Sequence, residues 1–459
     1  MSRPGGSRPR VVVVGAGLAG LRAATLLARR DFEVVVLEAR AGVGGRATGE
    51  WSAGHWMDAA WPVLGGRDAS LARFARELGL GDALLPLRPV QTVLLHDGER
   101  RPVDGLGLRG AARIPGLRLW EAPRLLRWRR LMRRHAPLLD PAAPERAASL
   151  DYRSLRDHVA LYFGRGALDA WITPEIQSAY GDDVGELSRV ALLLHAVSRG
   201  LGERRPGLPG LPRRPLAELA QTAAERLDVR RATAALRIDE QPAGGFRIET
   251  RDAERRRGEL ACDALIVATG APIAAQIARP LLTPAERDHF AALRERTAIT
   301  LAIAVDGIDG GLPQEVRLPR GAASAVASFL IEPGHLGGRS PEGQSQIVAL
   351  ARDGFAERWR DMPDDVVTKN LLGSLEDHVP GLGDRILATH LGRARVPFFR
   401  VGHYRLLASF EKVQRDRRAL GRRLYWAGDH VGGPGFEAAT RSGERAAESV
   451  TRDLGADAD

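Results

Sequence analysis

The chain has 459 residues, enough for more than one hydrophobic core, with 44% hydrophobic and 27% charged residues and with Gly and Pro (52 and 28) scattered, which excludes a fibrous or disordered chain. The net charge is +10, but only Lys369 and Lys412 are lysines, so 65 of the 67 basic residues are Arg; without zinc-finger, helix-turn-helix or RNA-binding spacing, no nucleic acid partner is expected. The lone Cys262 excludes a disulfide framework and a cysteine metal site, no other metal site is expected, and no apolar leader or 18-residue apolar run occurs, which together predict a cytoplasmic protein without a transmembrane helix.

Residues 11–14 are four valines, the β-branched run of a parallel strand buried on both faces. Gly15, Gly17 and Gly20 follow, with Ala16, Leu18 and Ala19 between them; residues 21–30 read as a helix, 32–37 as a second buried strand, and Glu38 comes 18 residues after Gly20. This is a dinucleotide-binding βαβ fingerprint in its context. Gly15 permits the tight turn, Gly17 lets backbone approach a pyrophosphate, Gly20 lets helix and strand pack closely, and the helix start offers free N–H groups to the anion. Glu38 accepts from both ribose hydroxyls and would repel a 2′-phosphate, which argues against NADP.

Farther along, residues 123–136 are amphipathic: Leu125, Trp128, Leu131 and Met132 share one face, with Arg127, Arg129, Arg130, Arg133 and Arg134 on the other. Two readings stand, a helix lying on a membrane surface and a packed helix with a solvated Arg face, and the second is favoured. Residues 235–239, 244–248 and 262–270 read as a small meander returning to a parallel strand, with Cys262 in the strand before Ala268-Thr269-Gly270. The stretch 66–210 reads as largely helical and 285–395 as strand-bearing from residue 299. Near the end, residues 424–429 form a strand running into Gly428-Asp429, then a Gly-rich turn through Gly435 leads to a helix over 436–450.

The continuation Gly44-Gly45-Arg46 after Glu38, the Gly428-Asp429 end and the intervening meander together resemble the FAD-dependent superfamily of flavin amine oxidases, protoporphyrinogen oxidases and phytoene-type desaturases. The resemblance covers about half of the chain. It implies non-covalent FAD, with Ala39, Arg40, Gly44, Gly45 and Arg46 along the pyrophosphate and ribityl chain, and Ala235 with Ala268, Thr269 and Gly270 around the adenine. Asp429, after Gly428, would bond a ribityl or pyrophosphate oxygen, and the N–H of Phe436, after Gly435, would face the flavin pyrimidine edge. The implied fold is α/β: a Rossmann-type FAD-binding domain built from residues 1–65, 211–284 and 396–459, with an inserted α+β substrate domain at 66–210 and 285–395.

Local matches at 94–103, 173–188 and 397–404 lean towards the protoporphyrinogen oxidase-like branch. Several positions depart from the related patterns. Thr92 stands where that branch has an Arg for a porphyrin propionate, with Arg88 the nearest substitute, and a flavin-side Asp-x-Gly turn is here Asp58-Ala59-Ala60. The strand 297–302, with Thr300, lacks the lysine that amine oxidases place near flavin N5, and Gly435 replaces a cage tyrosine. Candidate pocket residues are Trp61, Thr300, Phe398, Phe399, Tyr404 and His430; Trp56 is a further aromatic, and His55 and His403 are further candidate bases. Core packing is an equal or better reading for each of the aromatics and histidines. The expected activity is hydride-equivalent transfer from a C–H of a hydrophobic small molecule to the flavin, with oxygen or a quinone as later acceptor and no obligatory acid or base. A flavin amine or amino-acid oxidase and a non-catalytic FAD-binding module are the alternatives.

Overall fold

Val11, Val12 and Val13 have no exposed surface, because the strand they form lies inside a sheet with cores on both faces. The computed structural model describes residues 8–455 apart from 66, 68, 104–113, 115, 118–119, 202–206, 243 and 308–310. It begins with β1 (Arg10–Val14), α1 (Leu18–Ala28) and β2 (Glu33–Leu37). Next come α2 (Ala69–Glu77), the hairpin β3 (Gln91–His96) and β4 (Glu99–Pro102), and helices α3 (Arg127–His135), α4 (Thr173–Tyr180) and α5 (Arg189–Arg199). A short β5 (Asp228–Arg230) precedes the meander β6 (Ala234–Glu240), β7 (Phe246–Arg251) and β8 (Arg257–Cys262), and then β9 (Ala264–Val267). After α6 (Pro284–Ala292) come β10 (Arg294–Asp306), β11 (Gln314–Arg317), β12 (Val326–Pro333), β13 (Gln344–Ala351) and β14 (Ile386–Phe398). The chain closes on α7 (His403–Ala419), β15 (Leu424–Trp426), α8 (Asp429–Gly432) and α9 (Phe436–Gly455).

The fold is mixed α/β. One sheet, in the order β15-β9-β1-β2-β5, is parallel throughout. Helices α1, α2 and α9 pack on one face of it, and the meander with α6 and α7 on the other. A second sheet, β14-β10-β13-β12-β11-β3-β4, is antiparallel except where β11 pairs with β3. Its core includes Ile299, Leu301, Phe329 and Ile347, and the helices α3 to α5 gather around a separate core with Trp128, Phe163 and Trp171.

Several boundaries differ from those expected. The first helix begins at Leu18 rather than 21, since Gly17 is already its N-cap (ψ 174°). The last strand stops at Trp426, because Gly428 turns at φ +125° and Asp429 opens a helical turn. Cys262 ends β8 and so precedes, rather than belongs to, the parallel strand β9; burial pushes its thiol up to about 12. The segment 123–136 is a 3-10 turn followed by α3, with Leu125 and Trp128 buried in the helical core. Residue 396, an expected domain boundary, falls inside β14, which pairs with β10 as far as Phe398. Residues 71–84, expected in the substrate half, contribute Leu71, Phe74 and Leu84 to the core under the parallel sheet.

Candidate functional site

Between β1 and α1 the chain turns through Gly15, Ala16 and Gly17. Gly15 has φ +108°, its N–H donates to the Leu37 carbonyl at 2.8 Å, and a Cβ there would stand 2.7 Å from the Ala268 oxygen. At Gly20 a Cβ would fall 1.9 Å from the Gly15 oxygen, so only glycine lets α1 sit this close to the turn. Gly17 faces Gly45, where a Cβ would lie 3.2 Å from the Gly17 Cα, and the Gly44 N–H donates to the Ala16 carbonyl at 2.8 Å. The first-turn amides of Leu18, Ala19 and Gly20 have no acceptor within the helix, so they form a cradle for phosphate oxygens walled by bare backbone.

Glu38, at the end of β2, is 7% exposed. Its Oε2 accepts from the Ala16 N–H at 2.9 Å and its Oε1 from the Arg40 N–H at 3.0 Å. The carboxylate is thus tied to the glycine turn, with lone pairs left for a diol. Ala39 and Arg40 are exposed beside it. Ala235 is half-buried at a bulge of β6. The Ala268 N–H donates to the Val14 carbonyl at 2.8 Å, Thr269 is half-buried and Gly270 caps a short helix.

From the other end of the chain, Gly428 donates its N–H to Ser442 Oγ at 2.8 Å, and Asp429, buried, forms an ion pair with Arg46. The two outermost motifs therefore meet directly. Gly435 turns at φ +89° and Phe436 begins α9, which is held against α1 where Gly443 meets Ala19: a Cβ would be 2.1 Å from the Ala19 oxygen. The amide cradle, the diol-accepting Glu38 and the Arg46–Asp429 pair fit FAD, whose pyrophosphate, ribose and ribityl chain they match in kind.

A narrow cleft beside this motif is lined by Arg46, Asp58, Ala60, Pro212, Leu216, Arg339 and Phe436. Arg339 has no exposed side-chain surface and pairs with Asp58 and, at 3.0 Å, with Glu332. Trp56 Nε1 donates to Asp58 at 2.9 Å, and Arg88 binds Glu332 at 3.1 Å. Arg88 also donates to the carbonyls of Arg213 (2.6 Å) and Gly337 (2.7 Å), so it is engaged within the protein and is not an arm for a propionate. Burial opposes the charge of Arg339, but Asp58 and Glu332 outweigh it and hold the guanidinium above its usual range. Sequence reasoning missed this network, and it also missed a second one, in which buried Glu175 binds Arg317 and, at 3.1 Å, His195 Nε2.

The six pocket candidates do not gather at one place. Trp61 is half-buried against the cluster of Met57, Val90 and Ala302, and Thr300 is buried in β10 opposite Gly392. Phe398, Phe399 and Tyr404 belong to the helical core, with Phe399 edge-on to Tyr180 at 5.5 Å. His430 is fully buried 6.2 Å from the Phe290 ring, and both its ring nitrogens lack a hydrogen-bond partner. His403 and His55 are buried as well.

Burial drives His430 and His289 down to about 4 and His158 and His403 down to about 3. Their folded-state values lie below the unfolded value near 6.5, so the stabilisation they confer is complete above about pH 6.5 and is lost as pH falls towards 4. Each histidine that stays neutral adds a slope of about 1.4 kcal/mol per pH unit in that window. Thermal melts should therefore be level from pH 7 upward and fall steeply below pH 6; a melting temperature unchanged down to pH 4.5 would contradict this.

A family model described as flavin-containing amine oxidoreductase matches residues 18–451. A Mycobacterium tuberculosis protein named as a flavin-containing monoamine oxidase, AofH, is 32% identical over 249 residues, 51% of this chain and 52% of that protein. The carotenoid phi-ring synthase of Streptomyces griseus is 28% identical over 287 residues, 57% of this chain and 52% of that protein. The chain thus spans about half the length of these relatives. A crystal structure from Exiguobacterium named as a protoporphyrinogen oxidase superposes over 98% of this chain and 100% of its own, with a TM-score of 0.74 at 20% identity, a likeness of fold.

Proposed function

The chain belongs to the flavin-containing amine oxidoreductase family, and from that premise we propose that it is an FAD-dependent oxidoreductase that dehydrogenates a C–H bond of a hydrophobic small molecule rather than an amine. FAD, when bound, accepts the hydride equivalent and later passes the electrons to oxygen or a quinone. The protein's part is to hold and orient: Glu38 the ribose, the α1 amides the pyrophosphate, Asp429 and Arg46 the ribityl region, and the Phe436 N–H the flavin edge. Under this reading residues 1–65 with 71–84, 211–292 and 399–459 make the FAD-binding domain, and the remainder of 66–210 with 293–398 the inserted substrate domain.

The observation that carries the choice of substrate is the placement of the lysines. Thr300 is buried in β10, while Lys369 and Lys412 are exposed on helices, so no lysine reaches that strand from elsewhere in the sequence. Gly435 at φ +89° adds no aromatic wall. Amine or amino-acid oxidation is the second reading, favoured by the name of the mycobacterial relative. Anaerobic mixing decides between them: common primary and secondary amines should leave the flavin oxidised, and a polyunsaturated or tetrapyrrole-like compound should bleach it. Rapid bleaching by benzylamine or putrescine would overturn the proposal.

Among the described residues no helix is long and apolar enough to cross a membrane. We further propose a cytoplasmic location in which α3 is a packed helix, because the face carrying Leu125 and Trp128 is already covered by the helical core. The protein should then stay in the supernatant with anionic vesicles at physiological salt, where exposed charges are screened within about 8 Å. Salt-reversible pelleting would instead support the interfacial reading.

A further inference from the structure

An apolar groove of about 590 Å3 runs between α2, residues 84–89 and residues 207–216, a volume within the ~300–1,000 Å3 typical of small-molecule sites. Leu71, Ala72, Leu85, Leu87 and Leu208 form its walls, and among the described lining residues only Arg67 and Arg76 carry charge. Pro212 and Leu216 line both this groove and the narrow cleft holding Phe436 and Arg46, so the two share a wall. The inner wall of the groove, at Pro212 and Leu216, therefore borders the cleft in which the flavin edge is proposed to lie.

The charge at its rim is selective. On the surrounding helices Arg22 and Arg29 bind Glu77, at 2.5 and 2.7 Å, and Arg73 binds Glu444 at 2.7 Å. Arg76 is exposed and has no carboxylate partner among the described residues, and its stem packs against Gly81, where a Cβ would stand 3.1 Å from the Arg76 Cγ. A cation without a counter-charge among the described residues, beside an apolar wall, favours an anionic, apolar guest and disfavours a cationic one.

We propose that this groove is the substrate channel, and that the substrate is an apolar molecule bearing a carboxylate, its body along the leucine walls and its carboxylate at Arg76. This rests on the proposed flavin site only for the inner end of the channel. The test uses the FAD-loaded protein with laurate, 1-dodecanol and dodecylamine as probes. Binding is followed by calorimetry, which needs no flavin, and by perturbation of the flavin absorbance. Laurate should bind saturably, more weakly at high salt, and shift the flavin bands, while dodecylamine should bind at least tenfold more weakly. Arg76→Gln should weaken laurate by about twofold to fivefold and leave 1-dodecanol unchanged; Ala72→Trp should block both while FAD content stays constant. Equal affinity for laurate and dodecylamine, laurate binding untouched by either substitution, or laurate heat without any change in the flavin bands would each overturn the channel. Absence of FAD from the purified chain would instead count against the flavin site, with the calorimetric arm still deciding the groove.

Discussion

Replacing Arg339 by methionine is expected to lower stability by about 3 to 5 kcal/mol, the cost of leaving two buried carboxylates without their cation. Arg339 has no exposed side-chain surface and pairs with Asp58 and Glu332, which are themselves buried. Glu332 would retain Arg88 at 3.1 Å, so Asp58 is the group left most exposed to the loss. The midpoint of urea unfolding should fall accordingly, with the slope unchanged. Adding Asp58→Asn should recover most of the loss, since the penalty lies in uncompensated charge rather than in missing volume and Glu332 keeps its pairing with Arg88. A single Arg339→Met variant as stable as the parent would mean that the network contributes nothing.

The second large effect concerns the cofactor. Glu38→Ala removes the proposed acceptor for the ribose diol and frees the Ala16 and Arg40 amides, held at 2.9 and 3.0 Å. Losing a charged hydrogen-bond partner costs about 1.5 to 3 kcal/mol, so FAD affinity should drop roughly ten- to a hundred-fold. Glu38→Gln, which keeps an acceptor oxygen, should lose less. Fluorescence titration of the apoprotein with FAD measures both; unchanged affinity in Glu38→Ala would place the ribose elsewhere.

How much of this was legible beforehand follows from the range of the interactions. The glycine turn, β2 and Glu38 lie within 24 residues of one another, and each residue type there is dictated by a local need, such as a positive φ at Gly15 or a bare Cα at Gly20. The Arg339–Asp58 pair spans 281 positions and the Arg317–Glu175 pair 142, and a chain this rich in Arg offers no spacing that marks which arginines are buried. Phe399 and Tyr404 look the same in sequence whether they line a pocket or fill a core; the helices α4 and α5, packed around them, decide it. Likewise the apolar stripe on α3 is evident from its periodicity, but not what covers it.

The parallel sheet has a consequence for biosynthesis. Its strand β9 lies between β1 and β15, so residues 10–14 gain their second neighbour only with residues 264–267, and these in turn only with residues 424–426. The contact of Gly443 with Ala19 likewise joins the last helix to the first. Such distant pairings form slowly. A ribosome must therefore have released nearly all of these residues before the cradle can close, and until then the outer edge of β9 stands open to chaperones or to aggregation. Flavin loading becomes a post-translational event, and cells short of FAD should accumulate a late, nearly complete intermediate rather than an early one.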